Sequence, residues 1–123
     1  MAKKILIMED EKILRELLEK KLKERNYEVI TASDGEEGFL KLKNEKPDLV
    51  LLDIIMPKMS GFEVLEKTQK DAQISKIPVI IVSNSGQPVE ISRAIELGVK
   101  DYLIKTEFDP QEVIQKVQKQ IGE

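Results

Sequence analysis

The sequence predicts an α/β fold in which a five-stranded parallel sheet carries helices on both faces. Apolar runs and amphipathic segments alternate five times along the 123 residues, a pattern typical of doubly wound domains. The apolar run at residues 49–52 lies between Pro47 and Pro57, which indicates a short strand covered on both faces. Because the chain shows no internal repeat, low-complexity tract or linker, we expect one domain spanning residues 1–123.

Five segments have the composition of strands. The runs at residues 5–8, 48–53 and 79–82 are apolar between polar ends, residues 27–32 alternate as an edge strand does, and residues 102–104 form a shorter run. Right-handed crossovers leave several strand orders open. Of the two common doubly wound orders, five strands suit the flavodoxin-like order 2-1-3-4-5, with its switch point between the first and third strands.

Capping residues locate the first two helices. The first is predicted over residues 11–25 behind an Asp10 cap. The second is predicted to open at Ser33, with Glu36 three residues later completing a capping box.

The other three helices also have recognisable ends. The third is predicted over residues 62–71, and the fourth from near Pro88 to a left-handed Gly98. The fifth begins with the cap Asp109 and the first-turn proline Pro110. Its predicted core positions are Val113, Ile114, Val117 and Ile121.

Composition excludes several classes of function. The net charge of -3, with both signs interleaved, lacks the basic face that nucleic-acid binding requires. No apolar span or secretory signal is recognisable, so we expect a cytoplasmic protein without membrane contact. The absence of Cys and His excludes disulfides, thiolate chemistry and imidazole bases, and any phosphohistidine step must therefore use another protein.

Charged or hydroxyl-bearing side chains follow several of the predicted strands. Glu9 and Asp10 follow the first, Asp53 the third, Ser83 the fourth and Lys105 the fifth. Each pair of carboxylates costs about 4 kcal/mol at roughly 4 Å and an effective dielectric near 20, so a positive charge is required. Lys105 is one candidate, and Mg²⁺, which prefers oxygen ligands, is the other. A carboxylate beside such charges can act as a phosphoryl acceptor.

On these residues the chain resembles a receiver domain of the two-component response-regulator family, similar to its single-domain chemotaxis-type members. The resemblance covers essentially all 123 residues. It rests on the acidic pair at 9–10, the acceptor segment at 53–61, and Ser83, Tyr102 and Lys105. Unlike most members, the chain has Thr106 rather than proline after the lysine, and the sequence leaves the geometry of that loop open.

The resemblance implies a role for each site residue. Asp53 would be phosphorylated by a sensor histidine kinase or a phosphotransfer protein. Asp10, Asp53 and the backbone carbonyl of Ile55 would bind Mg²⁺, and Glu9 would hold a metal-bound water. Lys105 would pair with the phosphoryl group.

The resemblance also implies a switch and a docking surface. Ser83 would move to bond a phosphoryl oxygen, and Tyr102 would turn inward behind it. In the family, the first helix and the loop after the lysine contact the kinase, here Ile13, Leu17 and Phe108. Apolar positions sweep about 180° of the first helix, wider than the ~100° stripe that core packing requires, so part of that face is expected to meet solvent.

Other functions fit the sequence less well. A hydrolase of the haloacid-dehalogenase type needs an aspartate two residues after the nucleophile, where this chain has Ile55, and a topoisomerase-primase type domain meets the same objection. No glycine-rich loop follows the first strand, which argues against flavin or dinucleotide binding. The remaining alternative is a pseudo-receiver, a binding module that acts without phosphorylation.

Overall fold

The computed structural model describes residues 2–84, 86–107 and 109–122. Within them, strands and helices alternate as the sequence predicts. In chain order the elements are β1 (Lys4–Met8), α1 (Lys12–Glu24), β2 (Glu28–Ala32), α2 (Gly35–Glu45), β3 (Leu49–Leu52), α3 (Gly61–Gln69), β4 (Val79–Ser83), α4 (Pro88–Glu96), β5 (Asp101–Ile104) and α5 (Pro110–Ile121).

The strands form one parallel sheet in the order β2-β1-β3-β4-β5, which confirms the predicted fold class. Successive residues of β1 point to opposite faces of the sheet. Leu6 and Met8 enter a core with α2, α3 and α4, whereas Ile5 and Ile7 enter a second core with α1 and α5. Because both faces are covered, the central strands β3 and β4 are buried along their whole length and are apolar up to Ser83 at the end of β4, rather than alternating.

The first helix begins one residue later than predicted, and the predicted Asp10 cap is wrong. Glu11 is the N-cap of α1, and its side chain makes no capping hydrogen bond. The reason lies in the preceding turn, where the carboxylate of Glu9 accepts from the Glu11 amide at 3.0 Å. That bond holds the chain so that the helix starts beyond Asp10.

The predicted capping box of the second helix is also displaced by one residue. Asp34, not Ser33, caps α2, and its carboxylate accepts from the Glu37 amide at 2.7 Å. Glu37, not Glu36, reaches back, and it accepts from the Ser33 amide at 2.9 Å. Serine and aspartate are both good N-caps, and the path of the chain places the Asp34 carboxylate within reach of the helix amides.

The later helices follow their sequence signals closely. Asp109 caps α5 within a capping box, and Gly98 follows α4 with a φ of 90°, as predicted. The predicted core positions of α5 are buried, except that Ile121 is only partly buried. The peptide that joins Lys105 to Thr106 is trans. Among the described residues no helix combines the length and apolar character of a membrane span.

The loop after β3 packs against the start of α2. The amide of Gly35 donates to the Pro57 carbonyl at 3.4 Å, and a Cβ at Gly35 would collide with the backbone carbonyl of Met59. Lys58, in the same loop, has a left-handed φ of 69°. Close packing of these two backbones therefore fixes the path of the loop that follows the third strand.

We predict that Gly35→Ala is more destabilising than Gly38→Ala. Both glycines lie in α2, so the gain in helix propensity is similar. A Cβ at Gly38 would meet the flexible end of the Met8 side chain, whereas one at Gly35 would meet backbone. Urea unfolding should give Gly35→Ala a free energy of unfolding about 1–3 kcal/mol below that of Gly38→Ala. Equal values would contradict this account of the loop.

Candidate functional site

Three ionisable side chains converge at the carboxyl edge of the sheet. The Lys105 ammonium lies 2.9 Å from Oε2 of Glu9 and 2.9 Å from Oδ2 of Asp53. The side chain of Lys105 is only 7% exposed, that of Glu9 3% and that of Asp53 5%. The strand order makes this contact, since β1, β3, β4 and β5 are adjacent and parallel. Lys105 therefore supplies positive charge beside the clustered carboxylates, as the sequence predicts.

Backbone contacts fix the position of Asp53. Its amide donates to the Met8 carbonyl at 3.0 Å, which continues the pairing of β1 with β3. The Ile55 amide lies 3.4 Å from Oδ1 of Asp53, while Oδ2 faces Lys105. A Cβ at Gly61 would collide with the carbonyl oxygen of Asp53, so only glycine allows α3 to start this close to the acceptor segment. Each carboxylate oxygen of Asp53 thus has its own donor.

A third carboxylate completes the site. Carboxylate oxygens of Glu9, Asp10 and Asp53 all lie within 4.8 Å of one another, and Asp10 is exposed whereas the other two are buried. The donor set is oxygen only, without nitrogen or sulfur, as a hard divalent cation prefers. The residues therefore fit Mg²⁺, with Asp10 on the solvent side.

Burial and pairing act against each other at this site. Burial raises the pKa of Glu9 to about 7, although the hydrogen bond with Lys105 lowers it. Burial likewise raises the pKa of Asp53. For Lys105, burial lowers the pKa, but hydrogen bonds with Glu9 and Asp53 outweigh it and the pKa is raised. Lys105 consequently stays protonated, and ionisation of the two buried carboxyl groups has a cost that further positive charge would offset.

Ser83 and Tyr102 lie on the neighbouring strands. Ser83 is fully buried at the end of β4, and its carbonyl accepts from the Lys105 amide at 2.7 Å. The Tyr102 hydroxyl is hydrogen-bonded with the Ser83 side chain. Burial raises the pKa of Tyr102, and the charge of Glu90 adds to this. The phenol therefore already reaches the predicted switch residue in this conformation.

The predicted docking residues of α1 meet solvent. Ile13 is 84% exposed and Leu17 is 36% exposed, so part of the apolar face of α1 is uncovered. The third predicted contact, Phe108, lies outside the described residues. The contribution of these residues to partner binding stays a prediction.

Sequence reasoning missed two residues at the site. Glu11 places Oε1 3.3 Å from the Lys105 ammonium, and Arg15 places Nη1 2.9 Å from the Glu9 carbonyl and 3.4 Å from the Asp10 carbonyl. Glu11 continues the acidic pair in the sequence, which was a usable signal. Arg15 follows Glu11 by four residues, the helical spacing that returns a side chain to the preceding loop.

We predict that the metal-free protein loses stability as pH rises from about 4.5 to about 7, because of Glu9. Its pKa is raised from 4.5 to about 7 on folding, so the folded state binds the Glu9 proton more tightly than the unfolded state. Above pH 7 this should reduce the free energy of unfolding by on the order of 1–3 kcal/mol. Glu9→Gln removes the titration and should flatten this part of the pH profile.

The measurement is urea unfolding at several pH values in the presence of a chelator. Glu24→Gln, an exposed glutamate at the far end of α1, is the matched control and should keep the wild-type profile. Identical profiles for Glu9→Gln and wild type would show that burial does not perturb Glu9.

Similarity to known proteins agrees with the geometry of this site. The family described as response regulator receiver domain matches residues 5–118. The alkaline phosphatase synthesis transcriptional regulatory protein PhoP of Bacillus subtilis is 39% identical over 117 residues, which is 95% of this chain and 48% of the relative. The probable transcriptional regulator ycf27 of Guillardia theta is 41% identical over 110 residues, 89% of this chain and 42% of the relative. The chain thus spans less than half the length of these two relatives.

Solved structures share the whole fold. The chemotaxis protein CheY4 of Vibrio cholerae superposes with a TM-score of 0.90 at 26% identity, covering 98% of this chain and 100% of that one. The Mn²⁺-bound form of response regulator Rcp1 superposes with a TM-score of 0.85 at 29% identity, covering 96% and 93%. With the sheet order, the acidic site and the family match in agreement, the chain belongs to the response regulator receiver domain family.

Proposed function

We propose that this receiver domain is a phosphoacceptor switch in which Asp53 takes up a phosphoryl group in the presence of Mg²⁺. Receiver domains are signalling modules rather than classical enzymes, so the chemistry proposed is limited to the domain's own phosphorylation and slow dephosphorylation. One observation carries the proposal. Asp53 is a buried carboxylate 2.9 Å from a buried ammonium and within 4.8 Å of two further carboxylates. Phosphoryl transfer depends mainly on such positioning and charge.

The proposed reaction transfers a phosphoryl group from histidine to aspartate. An Asp53 carboxylate oxygen attacks phosphorus as the bond to the imidazole nitrogen breaks, and the released imidazole takes up a proton. This chain contains no histidine, so the donor histidine lies outside these residues, and we propose that it belongs to a sensor histidine kinase or a phosphotransfer protein. The product is an aspartyl phosphate on Asp53.

The charged residues divide the remaining tasks. Asp10, Asp53 and the Ile55 carbonyl would hold Mg²⁺, and Glu9 would hold one of its waters. When bound, Mg²⁺ supplies positive charge beside the phosphoryl oxygens. Lys105 would exchange its contact with the Asp53 carboxylate for one with the phosphoryl group. The oxygen-only donor set supports this assignment, as does the Mn²⁺ bound in the similar response regulator Rcp1.

Phosphorylation would be transmitted through Ser83 and Tyr102. Ser83 would donate to a phosphoryl oxygen, and its hydrogen bond with Tyr102 would change in consequence. Such a contact, made in only one state, is what a two-state switch needs if phosphorylation is to shift its populations. The downstream partner would then meet a different surface beside β5.

We predict that acetyl phosphate and Mg²⁺ produce one phosphoryl adduct on Asp53. Intact mass should rise by one phosphoryl group in wild type, and Asp53→Asn should abolish the adduct, because the amide is a far weaker nucleophile. Asp48→Asn is the matched control, since Asp48 immediately precedes β3 at its opposite end and binds the Lys4 amide. This variant should be labelled like wild type.

Each outcome of the labelling experiment distinguishes between two interpretations of the site. An adduct that survives Asp53→Asn would place the acceptor elsewhere, and equal labelling in excess chelator would remove Mg²⁺ from the reaction. If wild type acquires no adduct at all, the alternative of a pseudo-receiver that binds partners without phosphorylation takes precedence.

We also predict that Ile13→Glu slows phosphoryl transfer from the cognate kinase about tenfold or more while leaving labelling by acetyl phosphate unchanged. Ile13 is 84% exposed on α1, so a glutamate there meets water in the free protein and opposes only an apolar contact with a partner. Transfer rates and acetyl phosphate labelling would be measured side by side.

Leu40→Glu is the control for this substitution. Like Ile13, Leu40 is an exposed aliphatic side chain of the same size. It is 61% exposed, but it lies on α2. Equal slowing by both variants would indicate a general effect of charge rather than a docking surface on α1.

A further inference from the structure

The side chain of Arg15 bonds to the backbone of the turn that carries two of the acids. Arg15 lies in the first turns of α1, and its Nη1 is 2.9 Å from the Glu9 carbonyl oxygen and 3.4 Å from the Asp10 carbonyl oxygen. Both bonds come from one nitrogen of a planar, permanently charged group. A single side chain thus holds two successive peptide units between β1 and α1.

Few other contacts hold this turn. Within the described parts of the chain, Asp10 makes no hydrogen bond besides the one with Arg15. The N-cap residue Glu11 makes no side-chain capping bond. The remaining restraints act on Glu9 and Glu11. The Glu9 amide bonds to the Ala32 carbonyl at 3.0 Å, the Glu9 carboxylate accepts from the Glu11 amide, and the Lys105 ammonium contacts the carboxylates of Glu9 and Glu11. Arg15 is therefore the hydrogen-bond partner of Asp10 among the described residues, and it restrains the backbone from which the Asp10 side chain projects.

The charge of Arg15 gives no advantage to a cation site. A guanidinium beside a carboxylate cluster repels Mg²⁺, so charge alone predicts tighter metal binding when the arginine is removed. Arg15 forms no ion pair within 4.0 Å in residues 2–84, 86–107 and 109–122, and its donors meet carbonyl oxygens instead. Its contribution to the site is geometric.

We propose that Arg15 is a positioning residue that fixes the Glu9–Asp10 turn and thereby increases the affinity for Mg²⁺. The inference rests on the proposed metal site and adds to it a residue that touches neither metal nor phosphoryl group. Groups that orient metal ligands from outside typically change affinity 10–100-fold when removed. Because Arg15 acts on backbone rather than directly on a ligand atom, we expect the lower end of that range.

The test is calorimetric titration of Mg²⁺ into wild type and three variants. Arg15→Met should weaken binding about tenfold, and Arg15→Lys, which keeps a donor but not the planar fork, should fall between. Lys12→Met is the matched control because Lys12 is an exposed cation in the same turn of α1. Removing it should leave Mg²⁺ affinity unchanged or tighter.

A coupling measurement separates positioning from general damage. In an Asp10→Asn background, the loss of Mg²⁺ affinity caused by Arg15→Met should be smaller, because the carboxylate ligand that Arg15 positions has already been removed. A purely structural role would lower the urea midpoint in chelator and leave the two effects on Mg²⁺ binding additive, which would overturn the proposal. So would an Arg15→Met variant that binds Mg²⁺ as tightly as wild type or more tightly. Absence of Mg²⁺ binding in wild type would instead overturn the proposed function, and this inference with it.

Discussion

The burial of Asp53 and Glu9 around the Lys105 ammonium is the constraint on which the site depends. Burial disfavours the ionised carboxylates, and the two 2.9 Å contacts with Lys105 only partly compensate, since the pKa values of both acids stay raised. Full ionisation of Glu9, Asp10 and Asp53 would give three negative charges against one positive charge on Lys105, so two negative charges would remain uncompensated. A divalent cation would neutralise these two negative charges. A cluster with excess negative charge therefore suits a metal-dependent switch better than a neutral ion pair would.

Function and stability conflict in the same turn. Asp10 stands where a helix cap is expected, yet Glu11 is the N-cap and leaves α1 without a side-chain cap. A missing cap costs about 1 kcal/mol, and the buried acids add their own cost. Asp10 remains exposed beside Asp53, where its carboxylate can bind a metal instead of the helix amides. The residue that local rules assign to the helix is thus available to the site.

Local signals predicted those parts of the fold that depend on local energetics. The cap at Asp109 and the left-handed Gly98 were predictable because each has a single residue suited to the task. The choice between Ser33 and Asp34 was not, since adjacent residues can both cap and the path of the chain decides. The convergence of the acids followed from parallel topology alone. Arg15 was missed because its bonds run to backbone carbonyls, whose directions depend on the folded loop.

The ends of β4 and β5 connect the two halves of the proposed switch. The Lys105 amide bonds to the Ser83 carbonyl at 2.7 Å, while the Lys105 ammonium contacts Asp53 and the Ser83 side chain contacts Tyr102. A phosphoryl group on Asp53 would therefore compete for two existing contacts at once. A serine hydroxyl has one proton to donate, so a Ser83 hydroxyl that donates to a phosphoryl oxygen can only accept in its bond with Tyr102. Because Tyr102 is only partly buried, a change at the buried acid reaches a surface that a partner can contact.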